Sequence, residues 1–203
     1  MSEGQKGRQP NRMTFSVGVF CGSRFGLDPT HAELATAVGA AIAANGWRLV
    51  YGGGEVGLMG VVARAALDAG GPVLGIIPQR LLDREVGKRD LTELRVTTTM
   101  FERKADLINE SDAFVALPGG LGTLDEILDA ITLRQLGYHD KPMLLLDQAG
   151  FWQPLHELVG QFVAHGFAAA GAADLYELIA DVPGLMARLE SLAGGQAAPE
   201  QWC

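Results

Sequence analysis

The chain has 203 residues, of which 48% are hydrophobic and 20% are charged, and its formal net charge is −8. These values predict one soluble globular domain with a sizeable core and little room for a second. The acidic balance argues against a broad nucleic-acid surface, because such a surface needs a basic face. No apolar stretch approaches the roughly 20 residues that span a bilayer, so we expect no membrane segment.

The chain ends and the cysteines predict a cytoplasmic protein without a metal site. Residues 1–13 are polar, lack an apolar secretory core and are expected to form a disordered tail. A second tail is expected at 195–203, which leaves 14–194 as the domain. Cys21 and Cys203 show neither metal-ligand nor disulfide-framework spacing. A reducing cytoplasm is the default compartment for such a chain.

Apolar runs alternate with helix-like segments along the whole chain. Strands are predicted at SVGVFC, WRLVYGGG, PVLGIIP, LTELRVTTT, AFVAL and KPMLLLD, and LYELIAD and VPGLMARLESL close the domain. Helices are predicted over 29–46, 58–71, 100–111 and 151–166 and after GGLG, whereas QRLLDREVGKRD is interpreted as a loop or a short mobile helix. The strands are solid apolar runs, which predicts a Rossmann-like, doubly wound parallel sheet with helices on both faces.

Polar and glycine-rich turns follow three of the predicted strands. They are Cys21-Gly22-Ser23, Tyr51-Gly52-Gly53-Gly54 and Pro118-Gly119-Gly120. In open doubly wound sheets, ligands bind outside the carboxyl ends of the strands. We therefore expect the three turns to converge on one crevice.

The second of these turns also matches the dinucleotide-binding pattern G-x-G-x-x-G, through Gly52, Gly54 and Gly57. The match is weak, because the turn follows the second strand and the next strand ends in Ile77-Pro78 without the required acid. A P-loop is excluded, since no glycine is followed by Lys-Ser or Lys-Thr. The sequence therefore predicts no nucleotide cofactor.

The segment PGGLGTLDE, residues 118–126, joins a predicted strand to a predicted helix. Free N–H groups and the helix dipole favour an anion there, and the glycines would let a phosphate approach, although a tight turn without a ligand is the alternative. Glu126 either forms a capping box with Thr123 or acts on a ligand with a cationic or proton-donating part. Upstream, Arg103 and Lys104 of MFERK oppose the helix dipole, which favours ligand contact over a solvated surface pair.

With MFERK, YGGGEVGLMG and FCGS, the segment PGGLGTLDE makes the chain similar to the lonely-guy family of cytokinin riboside 5′-monophosphate phosphoribohydrolases, from about Ser16 to about Leu192. The resemblance implies hydrolysis of the N-glycosidic bond of purine nucleoside 5′-monophosphates by a homodimer without a metal or cofactor. Matched by motif position, Arg103 and Glu126 would be the catalytic pair. Substrate contacts are implied for a larger set: Ser23, Gly52, Gly53, Gly54, Glu85, Lys104, Gly119, Gly120, Leu121, Gly122, Thr123 and Thr132.

Other functions stay open at this point. An AMP nucleosidase without cytokinin preference would share the chemistry, and the sequence does not define the base pocket. A carrier of a phosphorylated cofactor, like the related molybdenum-cofactor carriers, would bind without turnover. The older family label "lysine decarboxylase" finds no recognisable pyridoxal-phosphate lysine context here. Apolar faces on Leu58–Ala69 and in ITLRQL are expected to lie at the homodimer interface.

Overall fold

The computed structural model describes residues 14–83 and 90–195, which form one seven-stranded sheet with helices on both faces. The predicted tail at 1–13, residues 196–203 and Glu85 lie outside the described residues. Within the described ranges, no helix is both long and apolar enough to cross a membrane. In chain order the elements are β1 (Ser16–Phe20), α1 (Thr30–Ala44), β2 (Arg48–Tyr51), α2 (Gly57–Asp68), β3 (Val73–Pro78), α3 (Gln79–Leu82), β4 (Glu93–Thr97), α4 (Met100–Glu110), β5 (Ala113–Ala116), α5 (Leu121–Gln135), β6 (Met143–Leu146), α6 (Gln153–Ala164), β7 (Glu177–Ile179) and α7 (Val182–Gly195).

All neighbouring strands are parallel, in the order β4-β3-β2-β1-β5-β6-β7. The chain builds outward from β1 to β4, then returns to place β5 on the other side of β1. The strand order therefore reverses between β1 and β5, and the predicted doubly wound sheet is confirmed. In such sheets the crevice outside the carboxyl ends at this reversal is where ligands bind.

The sheet separates two hydrophobic cores. Val17 and Val19 of β1 face the core that α1, α2 and α7 cover, whereas Phe20 faces the core under α4, α5 and α6. Because both faces are covered, every residue of β1, β3, β5 and β6 is buried, which explains why these strands are mostly apolar. Among the described strands, only β4, at the edge of the sheet, mixes exposed and buried residues.

Helix α2 packs on α1 within the same chain. Gly39 of α1 lies so close to α2 that a Cβ there would overlap the carbonyl oxygen of Val62. Leu58, Val62 and Ala66 are consequently buried. The expectation that Leu58–Ala69 leaves an apolar face for a partner is therefore wrong, because α1 already covers that face.

Candidate active site

The three polar turns meet at the carboxyl edge of the sheet. The N–H of Gly22, after β1, donates to the carbonyl oxygen of Pro118, after β5, over 3.1 Å, and the N–H of Met59 donates to the carbonyl oxygen of Gly22 over 3.3 Å. Gly57, at φ +65°, abuts the backbone of Ser23 so closely that a Cβ would overlap it. Backbone contacts thus join the turns after β1, β2 and β5 at the point where the strand order reverses.

At this edge Arg103 and Glu126 form a buried ion pair. Arg103 Nη1 lies 2.7 Å from Glu126 Oε1, and the two side chains are only 8% and 11% exposed. Arg103 Nε also donates to the carbonyl oxygen of Ile76, in β3, over 3.2 Å. The pair therefore joins α4 to α5 and to the end of β3.

A capping box fixes the first turn of α4, which presents Arg103. Thr99 is the N-cap; its Oγ1 accepts from the N–H of Glu102 over 3.1 Å, and the Glu102 carboxylate accepts from the N–H of Thr99 over 3.3 Å. Such reciprocal bonds satisfy donors that a helix start leaves open. Arg103 and Lys104 thus lie close to the N-terminus of α4, where the helix dipole disfavours cations and favours acidic side chains.

Glu126, in contrast, does not cap a helix. Helix α5 begins at Leu121, its N-cap is Gly120, and no side chain caps it. Glu126 is therefore the sixth residue of α5, too far along to satisfy donors at the helix start. The capping interpretation of Thr123 and Glu126 is wrong, and the Glu126 carboxylate is occupied by Arg103 instead.

Burial and charge act in opposite directions on Glu126. Burial raises the pKa of its carboxyl above the ordinary 4.5, and Arg103 opposes this rise both by its charge and by its hydrogen bond. The charge of Asp125 raises the pKa of Glu126 slightly, whereas that of Lys104 lowers it. The pKa of Glu126 is raised overall. Among its neighbours, Arg103 does most to favour the ionised form of Glu126.

Lys104 lies between two aspartates of α5. Its Nζ is 2.7 Å from Asp125 Oδ2 and 2.7 Å from Asp129 Oδ2. Asp129 was missed from sequence, although the spacing of Asp125 and Asp129 by four residues places both on one helix face. Two cations thus face three carboxylates in this cluster, so the Arg-Lys pair has no surplus positive charge for a phosphate.

The glycines of PGGLGT serve different purposes. A Cβ on Gly119 would overlap the buried side chain of Thr123, so Gly119 is required for packing. A Cβ on Gly120 or Gly122 would meet nothing within 4 Å, and Leu121 is 86% exposed. The uncapped N-terminus of α5 is therefore open to solvent, and its first N–H groups are accessible to an anion.

The other predicted site residues are less closely tied to the ion pair. Ser23 is exposed in the turn after β1, and Gly53 and Gly54 are buried in the turn after β2. Thr132 is exposed on α5, six residues beyond Glu126, which is about 9 Å along the helix axis. Cys21 is buried, and burial together with the charge of Glu126 raises the pKa of its thiol, which favours a packing role over a nucleophilic one.

Residues 14–83 and 90–195 contain no cluster of three or more His, Cys, Asp or Glu side chains arranged to hold a metal ion. What the site offers is a buried carboxylate paired with arginine beside an uncapped helix N-terminus. A carboxylate suits a developing positive charge, and a helix N-terminus suits an anion.

A family model described as "possible lysine decarboxylase" matches residues 59–189. A probable cytokinin riboside 5′-monophosphate phosphoribohydrolase of Oryza sativa subsp. japonica is 44% identical over 167 residues, covering 82% of this chain and 74% of the rice protein. The cytokinin riboside 5′-monophosphate phosphoribohydrolase of Mycobacterium tuberculosis is 44% identical over 171 residues, covering 83% and 89%.

Solved structures with a similar fold include molybdenum-cofactor proteins. The Moco carrier protein of Chlamydomonas reinhardtii superimposes with a TM-score of 0.68 at 26% identity, covering 90% of this chain and 99% of that protein. The molybdenum cofactor binding protein of Rippkaea orientalis gives 0.70 at 24% identity, covering 90% and 99%. At 24% identity, the similarity to the Rippkaea orientalis protein concerns the fold alone.

Replacing Arg103 should raise the pKa of Glu126 further. In Arg103→Gln the largest opposing influence is gone, whereas the control Lys104→Gln removes a smaller one. NMR titration of the Glu126 side-chain carboxyl carbon should therefore show a larger increase in Arg103→Gln than in Lys104→Gln. Equal pKa values in the two variants would contradict this account.

The same shift should appear in the stability of the protein. Because the pKa of Glu126 is higher in the folded than in the unfolded state, the folded state binds more protons between the two values. The free energy of unfolding should then fall as pH rises from about 4.5 through the folded-state pKa. In Arg103→Gln this fall should extend to higher pH than in the wild type, as measured by urea unfolding at successive pH values.

Proposed function

Because this chain belongs to the family of cytokinin riboside 5′-monophosphate phosphoribohydrolases, we propose that it hydrolyses the N-glycosidic bond of purine nucleoside 5′-monophosphates. The products would be the free base and ribose 5-phosphate. The names of the relatives favour cytokinin riboside 5′-monophosphates as substrates, and AMP is the alternative that the sequence leaves open. The observation that carries the proposal is the buried Arg103–Glu126 pair beside the open N-terminus of α5.

The helix N-terminus is the proposed seat of the 5′-phosphate. Gly120 and Gly122 leave space at the backbone, and no side chain competes for the N–H groups of the first turn. Lys104 is already neutralised by Asp125 and Asp129, so backbone N–H groups and the helix dipole supply most of the attraction. This differs from the sequence-based expectation that Arg103 and Lys104 contact the ligand.

The ion pair is the proposed reaction centre. When the bond between C1′ and the base nitrogen breaks, its electron pair leaves with the base and positive charge develops on the ribose. An ionised Glu126 would stabilise that charge and orient the water whose oxygen adds to C1′, while a proton passes to the departing base. Arg103 would keep Glu126 ionised in a buried place, where the carboxyl would otherwise tend to protonate.

A carrier function is the second candidate, because the chain shares its fold with the Moco carrier protein of Chlamydomonas reinhardtii. That likeness comes with 26% identity, compared with 44% to the two phosphoribohydrolases. A carrier develops no positive charge on its ligand, so it gives a buried carboxylate nothing to stabilise, whereas hydrolysis does. The ion pair therefore favours hydrolysis.

The proposal is tested by incubating the pure protein with AMP, N6-isopentenyl-AMP, GMP and CMP and measuring the ribose 5-phosphate released. We expect release from the purine nucleotides. Adenosine, which lacks the phosphate, should be a far poorer substrate, because each lost hydrogen bond to a charged group costs roughly 1.5–3 kcal/mol. Saturable binding of nucleotides without release from any of them would reject the enzyme and favour a carrier.

Glu126→Gln should separate catalysis from binding. The change keeps the shape of the side chain and removes the negative charge, so kcat should fall by about 100-fold or more. AMP should still bind, with a calorimetric Kd no weaker than that of the wild type, because no phosphate contact is lost. Asp125→Asn, which neutralises the adjacent carboxylate, should cost much less activity. A Glu126→Gln protein with wild-type kcat would remove Glu126 from the mechanism.

We also infer that the protein is a homodimer. Three apolar side chains, Met100, Phe101 and Leu128, lie exposed on α4 and α5, and we call them the α4–α5 surface. Leu121 is not part of it, because it flanks the open N-terminus of α5. The ion pair holds these two helices together, and large apolar side chains exposed on neighbouring helices favour an interface. This surface replaces the α2 face that the sequence suggested.

Light scattering should give about 43 kDa for the dimer, twice the 21.5 kDa of one chain. Leu128→Glu should shift the mass towards the monomer, because it places a charge in the α4–α5 surface. Leu158→Glu on α6 is the matched control, since Leu128 and Leu158 are 42% and 47% exposed. A wild-type monomer at low micromolar concentration, or a dimer that Leu158→Glu but not Leu128→Glu disrupts, would contradict the proposed interface.

A further inference from the structure

The family resemblance implies substrate contacts for the glycine-rich turn after β2, and this turn also matches a dinucleotide-binding pattern without the rest of that motif. We propose that Gly52 in this turn is a positioning residue, whose missing side chain sets where the Arg103 guanidinium lies and hence its contact with Glu126. The proposal deepens the function suggested above and rests on it for its catalytic meaning.

The geometry of Gly52 shows which neighbour needs the space. A Cβ built on Gly52 would overlap Arg103 Nη2, with Arg103 Cζ at 3.3 Å and Met59 Sδ at 3.2 Å. The backbone of Gly52 has an ordinary conformation, since it is not among the glycines with positive φ. Gly52 is therefore needed for the closeness of Arg103 rather than for the conformation of its own backbone.

The guanidinium has little freedom to move out of the way. Arg103 is buried, its Nε donates to the carbonyl oxygen of Ile76 over 3.2 Å, and its Nη1 lies 2.7 Å from Glu126 Oε1. Gly52, Ile76 and Glu126 thus surround the group from three elements: the turn after β2, strand β3 and helix α5. A methyl group at position 52 would push the guanidinium and lengthen at least one of the two polar contacts.

The neighbouring glycines of the turn support this assignment. Gly53, at φ +76°, lies against the backbone of Ile76, the residue whose carbonyl oxygen accepts from Arg103. Gly57, at φ +65°, lies against the backbone of Ser23 in the turn after β1. The pattern that resembles a dinucleotide motif therefore holds the turn against β3 and the β1 turn, so that its first glycine faces Arg103.

Thermal unfolding tests the proposal without any substrate. Gly52→Ala should lower Tm by about 5 °C in the presence of Arg103, an ordinary effect of overpacking in a domain of this size. In the Arg103→Ala background the same change should leave Tm nearly unaltered, because the overlapped atom is gone. Arg103→Lys serves if Arg103→Ala fails to fold, since it keeps a cation and lacks Nη2. Gly160→Ala, where a Cβ meets nothing within 4 Å, is the control for a glycine-to-alanine change.

Equal Tm changes for Gly52→Ala in both backgrounds would overturn the proposal, because the glycine would then be needed for some other contact. Since Tm requires no turnover, this result stands even if the protein cleaves no nucleotide. A failure of the Gly52 proposal can therefore be told apart from a failure of the proposed hydrolase activity.

In the active enzyme, Gly52→Ala should also change the pH profile. The charged and titratable groups that act on Glu126 are Arg103 and Lys104 of α4 and Asp125 of α5, and Glu126 in turn acts on Cys21 after β1. If the guanidinium moves away, the ionised Glu126 loses its main support, and the acid limb of kcat/KM should move to higher pH. Gly160→Ala should leave the limb in place. An unshifted limb in Gly52→Ala would show that the Arg103–Glu126 contact is intact and would overturn the proposal.

Discussion

The buried ion pair between Arg103 and Glu126 constrains the rest of this structure. Ionised Glu126 would be costly alone in a buried place, and removing one member of a buried pair typically costs about 3–5 kcal/mol. The fold therefore has to bring Arg103 and Glu126 together and keep them so. The capping box of α4, the carbonyl oxygen of Ile76 and the bare backbone of Gly52 all act on the arginine, while α5 presents the glutamate.

The same arrangement separates two charges that a nucleotide brings together. A 5′-phosphate is an anion, whereas the ribose becomes cationic as its base departs. The uncapped N-terminus of α5 would bind the anionic phosphate. Glu126, two turns or less along the same helix, would stabilise the cationic ribose. Asp125 and Asp129 neutralise Lys104, so this cluster of side chains does not attract anions in general. One helix thus supplies both polarities of the proposed site.

Sequence reasoning predicted the parallel sheet, because apolar runs that alternate with helices leave few other solutions. The resemblance to the family also singled out Arg103 and Glu126, and the structure brings these two side chains together in an ion pair. Sequence reasoning left the role of Glu126 open, because Thr123 and Glu126 fit a capping box in sequence and only the backbone shows that α5 begins at Leu121. Asp129 was missed because carboxylates on an exposed helix face are common. The contact of Gly52 with Arg103 joins residues far apart in the chain, which no local pattern encodes.

A crystal structure of the Glu126→Gln protein with AMP would locate both the phosphate and the ribose, because slow turnover should keep the substrate intact. We expect the 5′-phosphate against the N–H groups of Gly120 to Thr123 and the ribose C1′ beside residue 126, with Arg103 still donating to the Ile76 carbonyl oxygen. A phosphate held by Arg103 or Lys104, with C1′ out of reach of residue 126, would contradict this account.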